Sequence, residues 1–89
     1  MSQEITEQVR QYVQQNFYVE DPARLGDDVS LVSEGIVDST GMLEVISFLE
    51  GRFGIKVEDA ETVPANLETI GRIVDFVVRK QKVRESAAA

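Results

Sequence analysis

The chain has no cysteine and no histidine. Without cysteine, disulfides and thiolate zinc sites are excluded, and nothing marks a redox compartment. Without histidine, the usual general base, the usual partner of a nucleophilic serine and the commonest transition-metal ligand are all missing. A self-sufficient serine hydrolase would have to use a carboxylate, a lysine or a tyrosine as base, so no catalytic residue is assigned and no enzyme is expected. No metal ligands are assigned either. The run Asp27-Asp28-Val29-Ser30 lacks the alternating oxygen ligands and closing glutamate of a calcium loop. No apolar run approaches the length that spans a bilayer. Met1-Ser2-Gln3-Glu4 lacks the basic start and apolar core of a secretory signal. The expectation is a cytoplasmic protein with no membrane partner.

What is present is acid. The 89 residues carry a net charge of −7. From Glu20 to Glu61 there are eleven acids and three bases, whereas residues 62 to 89 hold three acids and five bases. The middle of the chain therefore carries the acidic excess. Such a surface repels nucleic acid and anionic lipid and steers basic protein partners towards itself, although solubility alone is served by the same charge.

Hydrophobic periodicity predicts helices. Ile5, Val9, Tyr12, Val13 and Phe17 recur at helical spacing, which predicts a first helix over 2–17 with Ser2 able to cap it. Pro22, Gly26 and Asp27-Asp28 break the pattern. The connection from Val19 to Asp38 is long for a compact domain, and Leu25, Val29, Leu31, Ile36 and Val37 give it apolar anchors. It is expected to pack over the helices as an ordered strap. A second helix is predicted over 39–53, stopped by Gly54, with Leu43, Val45, Ile46, Leu49 and Phe53 inward and Glu44, Ser47 and Glu50 outward. Ile55-Lys56-Val57 reads as an extended loop. A short third helix is expected over 62–67, with Pro64 in its first turn. Thr69 should cap a last helix ending near Lys82, with Ile70, Ile73, Val74, Val77 and Val78 inward and Phe76 a less clear core residue. Arg79, Lys80, Lys82 and Arg84 would offset the dipole at its end. Gly71 inside that helix costs about 1 kcal/mol relative to alanine and suggests close packing. Three long helices and a short one make a small bundle, with a total stability of about 3–5 kcal/mol at this size.

One run stands out: Leu31-Val32-Ser33-Glu34-Gly35-Ile36-Val37-Asp38-Ser39-Thr40-Gly41-Met42-Leu43-Glu44. It leads from an apolar loop into the second helix and puts a serine in the first turn. Free backbone N–H groups and the positive end of the helix dipole there are suited to a phosphate. A serine at this point also reads as a helix cap, and an Asp-Ser pair alone would be read that way.

Gly35-Ile36-Val37-Asp38-Ser39, followed by an apolar and acidic helix, resembles the attachment-site motif of acyl carrier proteins and peptidyl carrier domains. The similarity continues through Phe48-Leu49-Glu50-Gly51-Arg52-Phe53-Gly54-Ile55-Lys56-Val57, which looks like the exit from helix II. Pro64-Ala65-Asn66-Leu67-Glu68-Thr69-Ile70 looks like the short third helix leading into the fourth, and Ile73-Val74-Asp75-Phe76-Val77 resembles the last helix. The resemblance implies an all-α, acyl-carrier-like four-helix bundle over 1–83; the terminal residues 84–89 lie outside it and are expected to form a disordered tail. It implies 4′-phosphopantetheine attached covalently to Ser39 by a separate phosphopantetheinyl transferase, and acyl or aminoacyl groups carried as thioesters on that arm. Asp38 would be a recognition acid near the metal during transfer. Thr40 and Met42 would border the arm, with Leu67 and Ile70 core or pocket lining. Met42, Leu43, Glu44 and Glu50 would meet basic surfaces of activating and condensing enzymes. Many family members have leucine directly after the modified serine; this chain has Thr40 and then Gly41, so Met42 and Leu43 are expected to supply the apolar contact. A freestanding monomer is expected. Two alternatives stand beside this reading: a peptidyl or aminoacyl carrier of a nonribosomal-peptide-like pathway, and an acidic helical adaptor without cofactor.

Overall fold

The structure is a computed structural model and describes residues 2–19, 21, 23 and 25–88. It is an all-helical bundle of α1 (Ser2–Asn16), α2 (Ser39–Phe53), α3 (Pro64–Leu67) and α4 (Ile70–Ala88), with a 3₁₀ turn at Asp59–Glu61. The first two helices match their expected spans to within a residue. The expected capping by Ser2, the break at Pro22, the Arg84 charge and Ala89 lie outside the described residues and side chains.

The core forms where the apolar stripes meet. Val9 and Val13 of α1, Val45 and Leu49 of α2, and Ile70, Ile73, Phe76 and Val77 of α4 are almost wholly shielded from water. Phe76, the less clear case in the sequence, is thus a central core residue. Leu43 departs from its expected inward place: it is 68% exposed. Its neighbours Val45 and Leu49 occupy the buried seam of α2, and Leu43 falls on the outer side. An aromatic group closes the α1–α2 side. Tyr12 stacks on Phe48 with centroids 4.1 Å apart, and Phe48 meets Phe53 edge-on at 5.9 Å.

The strap between α1 and α2 is ordered, as its apolar anchors require. Leu25, Leu31 and Val37 are buried within the common core. Its backbone is tied at two points. Leu31 N donates to Glu68 O at 2.9 Å, and Gly71 N donates to Asp27 O at 3.0 Å. A Cβ on Gly71 would stand 3.2 Å from that carbonyl, which accounts for a glycine inside α4. Arg10 pairs with the Asp27 carboxylate and fastens the same point to α1.

Two boundaries differ from expectation. The third helix is split: Glu58 and Glu61 form a reciprocal capping box around the 3₁₀ turn, and the α-helical part begins only at Pro64. α4 runs past Lys82 to Ala88, since no glycine or proline stops it and Ala87 and Ala88 favour helix. Arg79, Lys80 and Lys82 therefore do not sit in its last turn. Arg79 and Lys80 bond to the 59–66 region instead, at Asn66 and Glu61. The Thr69 cap is present: its Oγ1 accepts from Arg72 N at 3.1 Å.

Candidate functional site

The start of α2 is built by Asp38. Its backbone is extended, and its Oδ1 accepts from Gly41 N at 2.6 Å, the geometry of an N-cap. Its main-chain carbonyl accepts the first helical bond, from Met42 N at 2.8 Å. The cap is thus one residue earlier than a serine cap would be. Ser39 becomes the first helical residue, and its hydroxyl has no hydrogen-bond partner among the described residues. The backbone N–H groups of Ser39 and Thr40 are likewise unpaired among the described residues, and they stand at the positive end of a 15-residue helix.

Gly41 explains how the chain reaches this point. It is buried, and a Cβ there would come 2.7 Å from the Phe17 ring and 3.1 Å from Asp38 Oδ1. A bare backbone lets Phe17, just beyond α1, lie against the first turn of α2 while the cap stays intact. On the other side, Gly35 turns the strap in the left-handed region at φ 71°, and Gly54 ends α2 at φ 66° with its N–H on Glu50 O.

Ser39 opens on an apolar groove of about 280 Å³ between the strap, α2 and α3. Val32 and Ser33 of the strap, Asp38, Ser39 and Met42 of the α2 start, and Val63, Pro64 and Leu67 of the α3 side line it. Two larger open grooves, of about 500 and 460 Å³, run along α4 around Arg72 and Asp75 and do not include Ser39. Size does not choose between them. The groove with the free hydroxyl is the one with chemistry, and it lies near the lower end of the range for small-molecule sites.

The expected site residues are placed unequally. Ser39, Asp38 and Met42 share the groove, with Leu67 at its floor. Thr40 is exposed beside it without lining it, and Ile70 is wholly buried in the core. Leu43 and Glu44 are exposed on the outside of α2. Glu50 is half-buried, and its Oε2 accepts from Val57 N at 2.9 Å, so it holds the loop after α2. The main-chain carbonyl of Glu44 accepts from Tyr12 Oη at 3.2 Å. Burial, and then the negative charge of Glu44, push the Tyr12 phenol above its ordinary value. Sequence reasoning did not find Glu61. Its carboxylate accepts from Glu58 N and from Lys80 Nζ, and these donors hold it below the usual carboxylate range. The signal was the Glu58-x-x-Glu61 spacing of a capping box.

Comparison with known proteins points the same way. The sequence model of the family described as "Phosphopantetheine attachment site" matches residues 7–77. The meromycolate extension acyl carrier protein of Mycolicibacterium aurum is 28% identical over 69 residues, covering 78% of this chain and 69% of that protein. The acyl carrier protein of Thermotoga maritima is 26% identical over 78 residues, covering 88% and 93%. Among solved structures, one of a Bradyrhizobium japonicum glycine:[carrier protein] ligase complexed with glycylated carrier protein matches with a TM-score of 0.64. The match has 20% identity and covers 84% of this chain and 96% of that chain, which shows a shared fold.

Proposed function

The chain belongs to the phosphopantetheine attachment-site family of carrier proteins, and from that membership we propose that Ser39 bears the group and that the protein delivers acyl or aminoacyl cargo to partner enzymes. Its cofactor is covalently attached 4′-phosphopantetheine. When bound, that group supplies the thiol this cysteine-free chain lacks, and cargo rides on it as a thioester.

The observation that supports Ser39 most is the division of labour at the start of α2. Because Asp38 provides the cap, the serine hydroxyl is not consumed by the helix and stays exposed. The residues around it fit the group. The unpaired N–H groups of Ser39 and Thr40 suit a phosphate, and the groove beside them gives an apolar bed with hydroxyls at Ser33 and Thr62. With no histidine, the chain leaves proton removal from Ser39 to the transferase, so we read the protein as a carrier and not an enzyme. Glu44 and Leu43, exposed together on α2, offer partner enzymes an acid and an apolar contact. Tethering raises the effective concentration of cargo at each partner's site.

The test is intact mass after incubation with coenzyme A, magnesium and a broad-range phosphopantetheinyl transferase. The parent should gain one phosphopantetheine and Ser39→Ala none. A gain that persists in Ser39→Ala would move the attachment to another hydroxyl, Thr40 first. A folded parent that gains nothing with two different transferases would overturn the reading in favour of the cofactor-free adaptor.

A further inference from the structure

The wall of the Ser39 groove opposite α2 is the segment 62–68, which contributes Thr62, Val63, Pro64, Leu67 and Glu68. This wall has little stability of its own, since the four residues of α3 are far too few for an independent helix. Leu67, 3% exposed, pins it to the core at one point. Apart from strap bonds at its last residue, Glu68, the other fastenings come from α4, behind the wall. Lys80 Nζ reaches both carboxylate oxygens of Glu61, at 2.9 and 3.2 Å. The Glu61 main-chain carbonyl accepts from Asn66 Nδ2 at 2.9 Å, and Asn66 Oδ1 accepts from Arg79 Nη2 at 3.0 Å. Arg72 Nη1 adds a longer bond to Ala65 O at 3.4 Å, so Lys80 holds the entry to the wall while Arg79 and Arg72 hold its middle. In front, at the groove, Val63 is 40% exposed. Among the described residues, the strap touches the wall by hydrogen bonds only at Glu68, through Leu31 N and Ser30 Oγ. The wall is fastened from behind and open in front.

We propose that Lys80, acting through Glu61, is a positioning residue that holds the α3 wall closed on the Ser39 groove and so sets how far an arm on Ser39 is covered. The pair is suited to this. Its side chains are 22% and 29% exposed, so the bond is partly desolvated yet within reach of water and salt. Glu61 is also fixed by the backbone of Glu58, so its carboxylate does not follow Lys80 if the lysine is lost. The lost contact would therefore release the wall locally and leave the core intact. The part of the proposal that concerns the arm rests on Ser39 as the attachment site.

Amide hydrogen exchange on the unloaded protein tests the wall independently of any cofactor. The amides to watch are those of Asn66, Leu67 and Glu68, which bond to Val63 O and Pro64 O. In Lys80→Met they should exchange roughly two- to fivefold faster, the range a partly exposed ion pair allows. Amides of Val13, Ile73 and Val77 should be unchanged, and Lys80→Arg should behave as the parent. The unaltered protein at about 1 M salt should show the same selective acceleration, which keeps the test alive if Lys80→Met fails to fold. No change, or acceleration spread equally over the core, would overturn the proposal. In loaded protein, whose arm has been verified by mass, alkylation of the arm thiol by iodoacetamide should speed up in Lys80→Met by a similar factor. Faster wall exchange without faster alkylation would overturn the link to the arm while leaving attachment at Ser39 untouched.

Discussion

Replacing Asp38 with alanine removes the side chain that caps α2, and the expected cost is about 1 kcal/mol. In a domain of this size that lowers Tm by roughly 4–8 °C, readable by thermal unfolding. Asp38→Asn keeps an oxygen for Gly41 N and should retain most of that stability. If Asp38→Asn is as stable as the parent yet accepts the phosphopantetheine group slowly, the charge itself serves the transferase. If loading follows stability across both variants, the residue acts through the cap alone. The sequence pointed to Ser39 but left its cap role open, because aspartate and serine are both good caps and sit side by side. Only backbone geometry separates them: the extended residue is the cap, and the next one is helical. The departure from the family pattern was legible at Thr40, but the reason for Gly41 after it, the Phe17 ring, lies 24 positions earlier and needs the fold.

The wall segment titrates in a defined direction. In the folded protein, Glu61 lies below its ordinary value of 4.5, first because the Glu58 backbone N–H bonds to it and then because Lys80 does. A depressed carboxylate gives stability that is present above the unfolded value and lost as pH falls through the folded one. Urea unfolding at about pH 6 and about pH 3 should therefore show a smaller acid loss in Glu61→Gln than in the parent. Tyr12 shifts the other way. Its raised value gives stability that is full below 10.0 and declines as pH rises beyond it. Tyr12→Phe, which can keep the stack on Phe48, should remove that alkaline decline. At this scale α1, α2 and the core face of α4 were readable from periodicity, since Val9, Val13, Val45, Leu49, Ile73 and Val77 each repeat at helical spacing. The 59–67 segment was less readable, because a short capped turn followed by a four-residue helix has no period to detect. Leu43 was misread because its apolar character was taken for burial, although it lies across the helix from Val45 and Leu49.

Across the whole molecule, the stretch from Glu34 to Glu61 around α2 holds seven acids against two bases and includes Ser39, while α4 carries five of the nine bases. A partner with a basic surface should therefore meet the protein faster at low ionic strength. Raising salt from about 0.05 to about 0.5 M should lower kcat/KM of the transferase reaction, with a smaller effect on Glu44→Gln. An equal salt dependence for both forms would place the contact elsewhere on the surface. The strap shows how a long connection can be read only in part. Its apolar anchors announced that it packs, and Gly71 announced a close approach, but the backbone bonds to Glu68 O and Asp27 O leave nothing in the sequence that names their partners.

The one-residue offset between cap and hydroxyl also describes a way to uncouple folding from duty. Combining Asp38→Ser with Ser39→Ala should return a helix that is still capped, with the serine hydroxyl turned inward to Gly41 N and no hydroxyl left at position 39. Such a chain would keep the outward face of α2, with Leu43 and Glu44 in place. With Ser39 as the proposed attachment point, it would act as a decoy, occupying the surfaces that handle the natural protein while remaining barren of cargo.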